Sequence, residues 1–208
     1  MPPDFSELKA DDLRQAGPLF RGVAYQVWQT VSAWIDLDGQ EILVVEGAED
    51  LDRIAPGRAE VNQIKNLASS ISLRSECVCD ALRNYWSIRQ KNPERLIRYR
   101  FITTASFARE SGDPFGVPKP GLALWNEEAL REPTSLTNEL KNFLLSDGSV
   151  SRRLARESGD KLPALSEYLE GASEAEFHLE FVRSMQWLQQ QPAIEVVRSM
   201  VAEKLHAY

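Results

Sequence analysis

Val44-Val45-Glu46-Gly47-Ala48-Glu49-Asp50-Leu51-Asp52-Arg53-Ile54-Ala55-Pro56-Gly57-Arg58-Ala59-Glu60-Val61-Asn62-Gln63-Ile64-Lys65 is the stretch on which the fold turns. Pro56-Gly57 is a turn dipeptide, and Leu51 to Ile54 and Ala59 to Lys65 read as short strands on either side of it. If Ala55 lies opposite Arg58, the register sets Asp50 directly across from Gln63, at roughly 5 Å between backbones. Lys65 follows two places on, on the same face. Glu46, Asp50 and Asp52 share parity and face that way if the chain stays extended, whereas Glu49 points to the other side. A carboxylate, a second oxygen donor and a lysine on one face suit phosphodiester hydrolysis. Asp50 and Gln63, with Glu46, can hold Mg²⁺ through oxygen, and the ion lowers the pKa of a bound water. The lysine can stabilise charge building on the phosphate. A plainer reading fits the same residues: a solvated turn followed by an edge strand of alternating polarity.

Working outward, Ile42-Leu43-Val44-Val45 is a β-branched run and reads as a buried strand. Leu19 to Trp34 reads as a helix, with Leu19, Val23, Val27, Val31 and Trp34 on its apolar face and Phe20 and Trp28 widening it. Ser72 to Gln90 reads as a second helix, with Leu73, Val78, Leu82 and Tyr85 on one side. Ile97, Tyr99 and Phe101 alternate with Arg98 and Arg100, which is strand periodicity. Ser111 to Gly121 carries three prolines and three glycines and is the best internal boundary. The rest reads as helices: a capping box at Ser173 to Glu176, a face of Phe177, Phe181, Met185 and Leu188, and a last helix opened by Pro192 with Ile194, Val197, Val201 and Leu205. The expectation is an α/β core over residues 1–121, a mixed sheet flanked by helices. A helical extension over 122–208 packs on it, within the same structural domain.

The whole composition narrows the function classes. The chain has 208 residues, 24 basic against 31 acidic, for a formal charge of −7. Such acidity argues against a surface coated in positive charge for indiscriminate nucleic-acid binding. Seven of the acids fall between Asp36 and Asp52 with no Lys or Arg among them, so part of the deficit belongs to the metal site itself. No apolar run reaches the length of a membrane span, and Met1-Pro2-Pro3-Asp4 lacks the layout of a secretory signal. Cys77 and Cys79 are too few for a disulfide framework, and two places apart on a helix they point to nearly opposite sides. Those features imply a cytoplasmic protein without a membrane partner. His178 and His206 have no ligand-like neighbours. No phosphate loop, dinucleotide turn or nucleophile elbow is present.

Taken together, Gly22-Val23-Ala24-Tyr25-Gln26, the run Val44 to Asp52, Val61-Asn62-Gln63-Ile64-Lys65 and Phe101-Ile102-Thr103-Thr104-Ala105-Ser106 occur in one order at compatible spacing. The set resembles the double-strand DNA endonuclease domain at the N-terminus of CD-NTase-associated effectors and related bacterial anti-phage proteins. That domain belongs to the restriction-endonuclease-like PD-(D/E)xK superfamily. The resemblance is most specific over Leu19 to Ser106 and looser through Trp187-Leu188 and the final helices. It implies a restriction-endonuclease-like core and a Mg²⁺-dependent (or Mn²⁺-dependent), largely sequence-nonspecific endonuclease acting on double-stranded DNA in antiviral defence. Asp50 would be the metal-binding acid, Gln63 and Lys65 the second half of the motif, Gln26 a supporting polar position, and Glu46 and Glu49 part of the acidic stretch. Gln63 departs from the usual Asp or Glu and leaves the number of metals open. The resemblance also implies homo-oligomerisation on activation and a C-terminal sensor or NTPase region in a longer parent protein. Arg83, Arg89, Arg98 and Arg100 are candidate DNA phosphate contacts, with Arg152, Arg153 and Arg156 as a second set. A catalytically silent DNA-binding or oligomerisation module with the same fold is the alternative.

Overall fold

The computed structural model describes residues 17–156 and 164–207, with side chains from Phe20 onward, so Met1 to Asp4 and the side chain of Leu19 lie outside the described residues. Helix α1 (Gly17–Ile35) leads into β1 (Ile42–Val45), β2 (Leu51–Ala55) and β3 (Arg58–Lys65). Helix α2 (Glu76–Lys91) crosses over to β4 (Leu96–Thr103). Five helices follow: α3 (Gly121–Glu128), α4 (Ser135–Ser146), α5 (Gly148–Leu154), α6 (Leu165–Gly171) and α7 (Glu174–Phe177). A π-helical turn, His178–Val182, then delivers β5 (Met185–Leu188), and α8 (Ile194–His206) closes the described chain.

The five strands form one mixed sheet in the order β1-β2-β3-β4-β5. The first three are antiparallel, and β3, β4 and β5 run parallel. Ala55 pairs with Arg58 and Leu51 with Asn62, which is the register anticipated around Pro56-Gly57. Gly57 adopts φ 72°, a conformation open to glycine at little steric cost. The α/β class with helices on both faces is as expected.

Four expectations need correction. Met185 to Leu188 is not a helical face: it is strand β5, paired with Tyr99 to Ile102, so the segment after residue 121 completes the sheet and is not wholly helical. The capping box at Ser173 forms, but the helix it starts lasts only to Phe177 before the π-helical turn. β1 is an edge strand rather than a buried one, with Ile42 60% and Val45 54% exposed. The apolar face of α1 is also out of phase: Phe20, Val23, Val27 and Trp34 are exposed, and Tyr25 is the side chain wholly buried. Arg21 is the only charged residue in α1. A helix apolar on more than one side offers two competing stripes, and periodicity alone does not choose between them.

The two faces of the sheet are covered unequally. On one, Tyr25 of α1 and Val197 and Val201 of α8 pack over Leu51 and Ile64 in a small core. On the other, α2 and the later helices bury a large aromatic core on Val61, Tyr99, Phe101 and Trp187. Trp125 meets Trp187 edge-on at 6.0 Å, and Tyr85 meets Phe181 at 5.0 Å. Burying each such ring contributes about 1.5–3 kcal/mol. This core anchors β3 and β4, whose carboxyl ends carry the candidate site.

Candidate active site

Glu46 has φ 53° and its N–H donates to Asp50 O at 3.2 Å, so the chain reverses between β1 and β2 instead of staying extended. The left-handed conformation is uncommon for a residue with a Cβ. Asp52, 4% exposed, clamps the turn by accepting the Ala48 N–H at 2.6 Å on Oδ2. A Cβ on residue 47 would collide with that same oxygen and with Val44 Cγ1, which accounts for Gly47. Burial pushes the Asp52 carboxyl up, opposed by the Ala48 and Glu49 N–H groups.

The reversal changes which acid meets Gln63. Glu49, expected to point away, turns onto the α2 face of the sheet. Its Oε1 accepts from Asn84 Nδ2 at 2.7 Å and from Tyr99 Oη at 2.9 Å, and its Oε2 accepts from Gln63 Nε2 at 3.3 Å. The shared parity of Glu46, Asp50 and Asp52 required an extended chain and does not survive the turn. Asp50 directs Oδ2 to the Ile64 N–H at 2.6 Å and so remains beside the end of β3. Gln26 of α1 reaches Ile64 O at 3.4 Å. Gln26, Glu46 and Asp50 line a cleft of about 290 Å³ with Val23, Val27 and Val45.

Gln63 is 6% exposed. Its amide nitrogen is taken by Glu49, and its carbonyl oxygen is buried with no hydrogen-bond partner. Lys65 is half-buried, and its side chain makes no hydrogen bond or ion pair with another described residue. Both Asp50 and Lys65 act on Glu49 through space, the first disfavouring its charge and the second favouring it. Glu49, Asp50, Gln63 and Lys65 therefore form one electrostatic unit at the carboxyl ends of parallel strands, where open α/β sheets commonly bind ligands.

Burial is the largest influence on Glu49 and raises its pKa, with Asp50 adding to the rise and Tyr99, Asn84 and Lys65 opposing it. Burial and the adjacent Glu49 carboxylate also push Tyr99 strongly upward, so its phenol stays a donor. A carboxyl that keeps its proton to higher pH when folded lowers stability as pH rises from the ordinary value of 4.5 through the raised one. Glu49→Gln removes that loss. The melting temperature of the variant minus that of wild type, measured in chelator, should rise as pH increases above 4.5. A difference that does not change with pH would show that Glu49 is not the buried titrating group.

A divalent ion fits here in one specific way. Among the described residues no three His, Cys, Asp or Glu side chains come together as a metal-binding group. Gln63 Oε1, however, is a buried oxygen without a donor, and such an atom is costly unless something binds it. Asp50 and Gln63 would hold Mg²⁺ with retained waters, as this ion favours. Glu46 is exposed and shares the cleft with Asp50.

Comparison of the chain with family models, curated proteins and solved structures finds no match. The functional reading therefore rests on the residues themselves.

The candidate phosphate contacts are divided by the fold. Arg83 is paired with Asp80 at 2.8 Å and Arg89 with Glu180 at 3.1 Å, both on α2. Arg98 and Arg100 project from the opposite sheet face, since Ile97, Tyr99 and Phe101 fill the α2 side. They do not form one surface. In the second set, Arg153 donates to Arg74 O and Arg156 lies 3.9 Å from Glu76, while Arg152 Nε bonds Gly148 O. Cys79 is buried, Cys77 half-buried, and both are free thiols. His178 is buried against Glu128 O at 3.1 Å, a structural histidine. Asn84 and Tyr99 escaped the sequence reading. They reach Glu49 only because β3 and β4 pair in parallel through the α2 crossover, a tertiary fact with no local signature.

Proposed function

We propose that the chain is a metal-dependent, largely sequence-nonspecific endonuclease for double-stranded DNA, an effector of bacterial anti-phage defence. The observation that carries the reading is the free, buried carbonyl oxygen of Gln63 set beside Glu49, Asp50 and an unpaired Lys65. Mg²⁺ or Mn²⁺, when bound, supplies a polarised phosphate oxygen and an activated water. Asp50, itself held by the Ile64 N–H, would hold the ion together with Gln63 Oε1. Glu49 keeps the Gln63 amide turned so that its nitrogen is occupied and its oxygen is free, and Tyr99 and Asn84 hold Glu49 in place. Lys65, with no ion pair to break, is available to a phosphate oxygen and stabilises the negative charge that develops there.

The chain's −7 charge fits this reading when its distribution is considered. Of the acids between Asp36 and Asp52, Glu46, Glu49 and Asp50 lie beside the place where a cation would sit, while Asp36 and Glu41 are paired with Lys204 and Arg53; assembly of several copies would compensate for weak DNA attraction by one. A sensor or NTPase region in a longer parent would control that assembly. No helix among the described residues is long and apolar enough to cross a membrane. The test is incubation of supercoiled plasmid with concentrated protein. Cleavage in Mg²⁺ or Mn²⁺ that stops in chelator supports the proposal. DNA retention without cleavage in either ion points instead to the silent binding module.

A further inference from the structure

On the α1/α8 side of the sheet, Tyr25, Val197 and Val201 pack over Leu51 and Ile64, and the chain just after α1 reaches across to Arg53, whose Nη2 donates to Asp36 O. Cross-strand register sets Arg53, Glu60 and Arg98 opposite one another in a row, and the next row contains Arg100 between Asn62 and Gln186. Three cavities that share lining residues lie on this side of the sheet, and Glu60 lines all of them. The largest, about 390 Å³, is walled by Arg98, Arg100 and Arg183, with Asn126 and Gln186 as further polar groups. Glu60 is its one acidic side chain.

The charges in this cavity do not balance. Glu60 is engaged by Arg100 Nη1 at 3.0 Å, leaving the Arg100 Nε buried without a partner. Arg53, next in the row, is taken by Glu41. Arg98 and Arg183 are exposed and carry no ion pair with another described residue. A chain with a seven-charge acidic excess thus gathers three guanidinium groups about one carboxylate. Mutual repulsion in such a cluster is relieved by an anion, and planar guanidinium forks match phosphate oxygens bidentately. The volume lies within the usual range for small-molecule sites. The Tyr99 ring lies on the other face of the sheet, so the cavity offers no aromatic surface on which a base could stack.

We propose that this cavity is a binding site for a small phosphorylated molecule carrying two or more phosphate groups, recognised through Arg98, Arg100 and Arg183. It is separate from the Glu49, Asp50 and Lys65 unit and does not depend on the nuclease reading. Gln63 and Glu49 lie on the Tyr99 side of the sheet and the arginines on the other.

The test is calorimetric titration of the full chain in chelator with inorganic pyrophosphate, with ATP and with a single-stranded oligonucleotide. Pyrophosphate and ATP should bind with similar affinity. The Arg98→Ala/Arg183→Ala double variant should weaken both by at least about tenfold. Lys65→Ala should leave both unchanged. Both substituted arginines are exposed, and an unaltered melting temperature confirms that the double variant is folded. No binding of either phosphate compound at millimolar concentration, or equal binding by the double variant, overturns the proposal. Binding of ATP without pyrophosphate, or of the oligonucleotide alone, overturns it too, the latter in favour of a nucleic-acid contact.

Discussion

Lys65→Ala should lower the rate constant for Mg²⁺-dependent plasmid cleavage by about 10²–10³-fold, the usual effect of removing one preorganised donor from a developing oxyanion. The Lys65 side chain is half-buried and has no hydrogen bond or ion pair among the described residues, so its truncation breaks no polar contact. Its attraction also favours the charged form of Glu49, and without it the Glu49 carboxyl should hold its proton to still higher pH. The melting temperature should therefore change little while activity collapses. Lys65→Arg should not restore full activity, because a broad planar guanidinium fork does not replace a compact point charge at a fixed place. The measurement is single-turnover nicking of plasmid by wild type and both variants at equal concentration. Equal rates for wild type and Lys65→Ala would remove Lys65 from the mechanism.

The largest stability loss from a single carboxylate should come from Glu128, far from the site. This residue at the end of α3 is fully buried and organises the turn into α4. It accepts from Thr137 Oγ1 at 2.6 Å, from Thr134 N at 2.7 Å and from Arg131 Nε at 2.7 Å. Burial alone would raise its pKa, but these donors overcome it and hold the carboxyl down at about 2. Glu128→Ala leaves several donors without an acceptor and should cost about 3 kcal/mol, a fall of roughly 6–12 °C in Tm for a chain of this size. The pH sign follows from the depressed value. The contribution is fully present above the ordinary 4.5 and disappears as pH falls toward about 2. Asp147, also held down at about 2 where it caps α5, acts in the same direction. Urea unfolding at neutral pH and again near pH 3 should show the gap between wild type and Glu128→Ala shrinking in acid. A gap that persists would mean that the ionised carboxylate is not what stabilises the turn.

What could be read from the sequence was whatever depended on local chemistry. Pro56-Gly57 set the β2–β3 register, and the alternation from Ile97 to Phe101 marked β4. Ser173 and Glu176 formed their capping box. What escaped depended on tertiary competition. The apolar residues of α1 outnumber the places the sheet can cover, so Tyr25 is buried while Val23 and Val27 are exposed. Met185 and Leu188 have helical spacing from Phe177 and Phe181, yet the open edge of β4 recruits them as a strand. At the site, Asp50, Gln63 and Lys65 were legible because a hairpin brings them together. The position of Glu49 was not, because the left-handed Glu46 and the close approach at Gly47 reverse the chain between them. Asn84 and Tyr99 arrive from elements whose pairing no short motif records.

The central claim is that Asp50 and the free carbonyl oxygen of Gln63 share a divalent ion. Crystals soaked in Mn²⁺ and measured at the manganese absorption edge test it most directly. The expected result is an anomalous peak bridging the Asp50 carboxylate and Gln63 Oε1, lost in Asp50→Asn. A map with no peak there, at a Mn²⁺ concentration that supports cleavage, would contradict it.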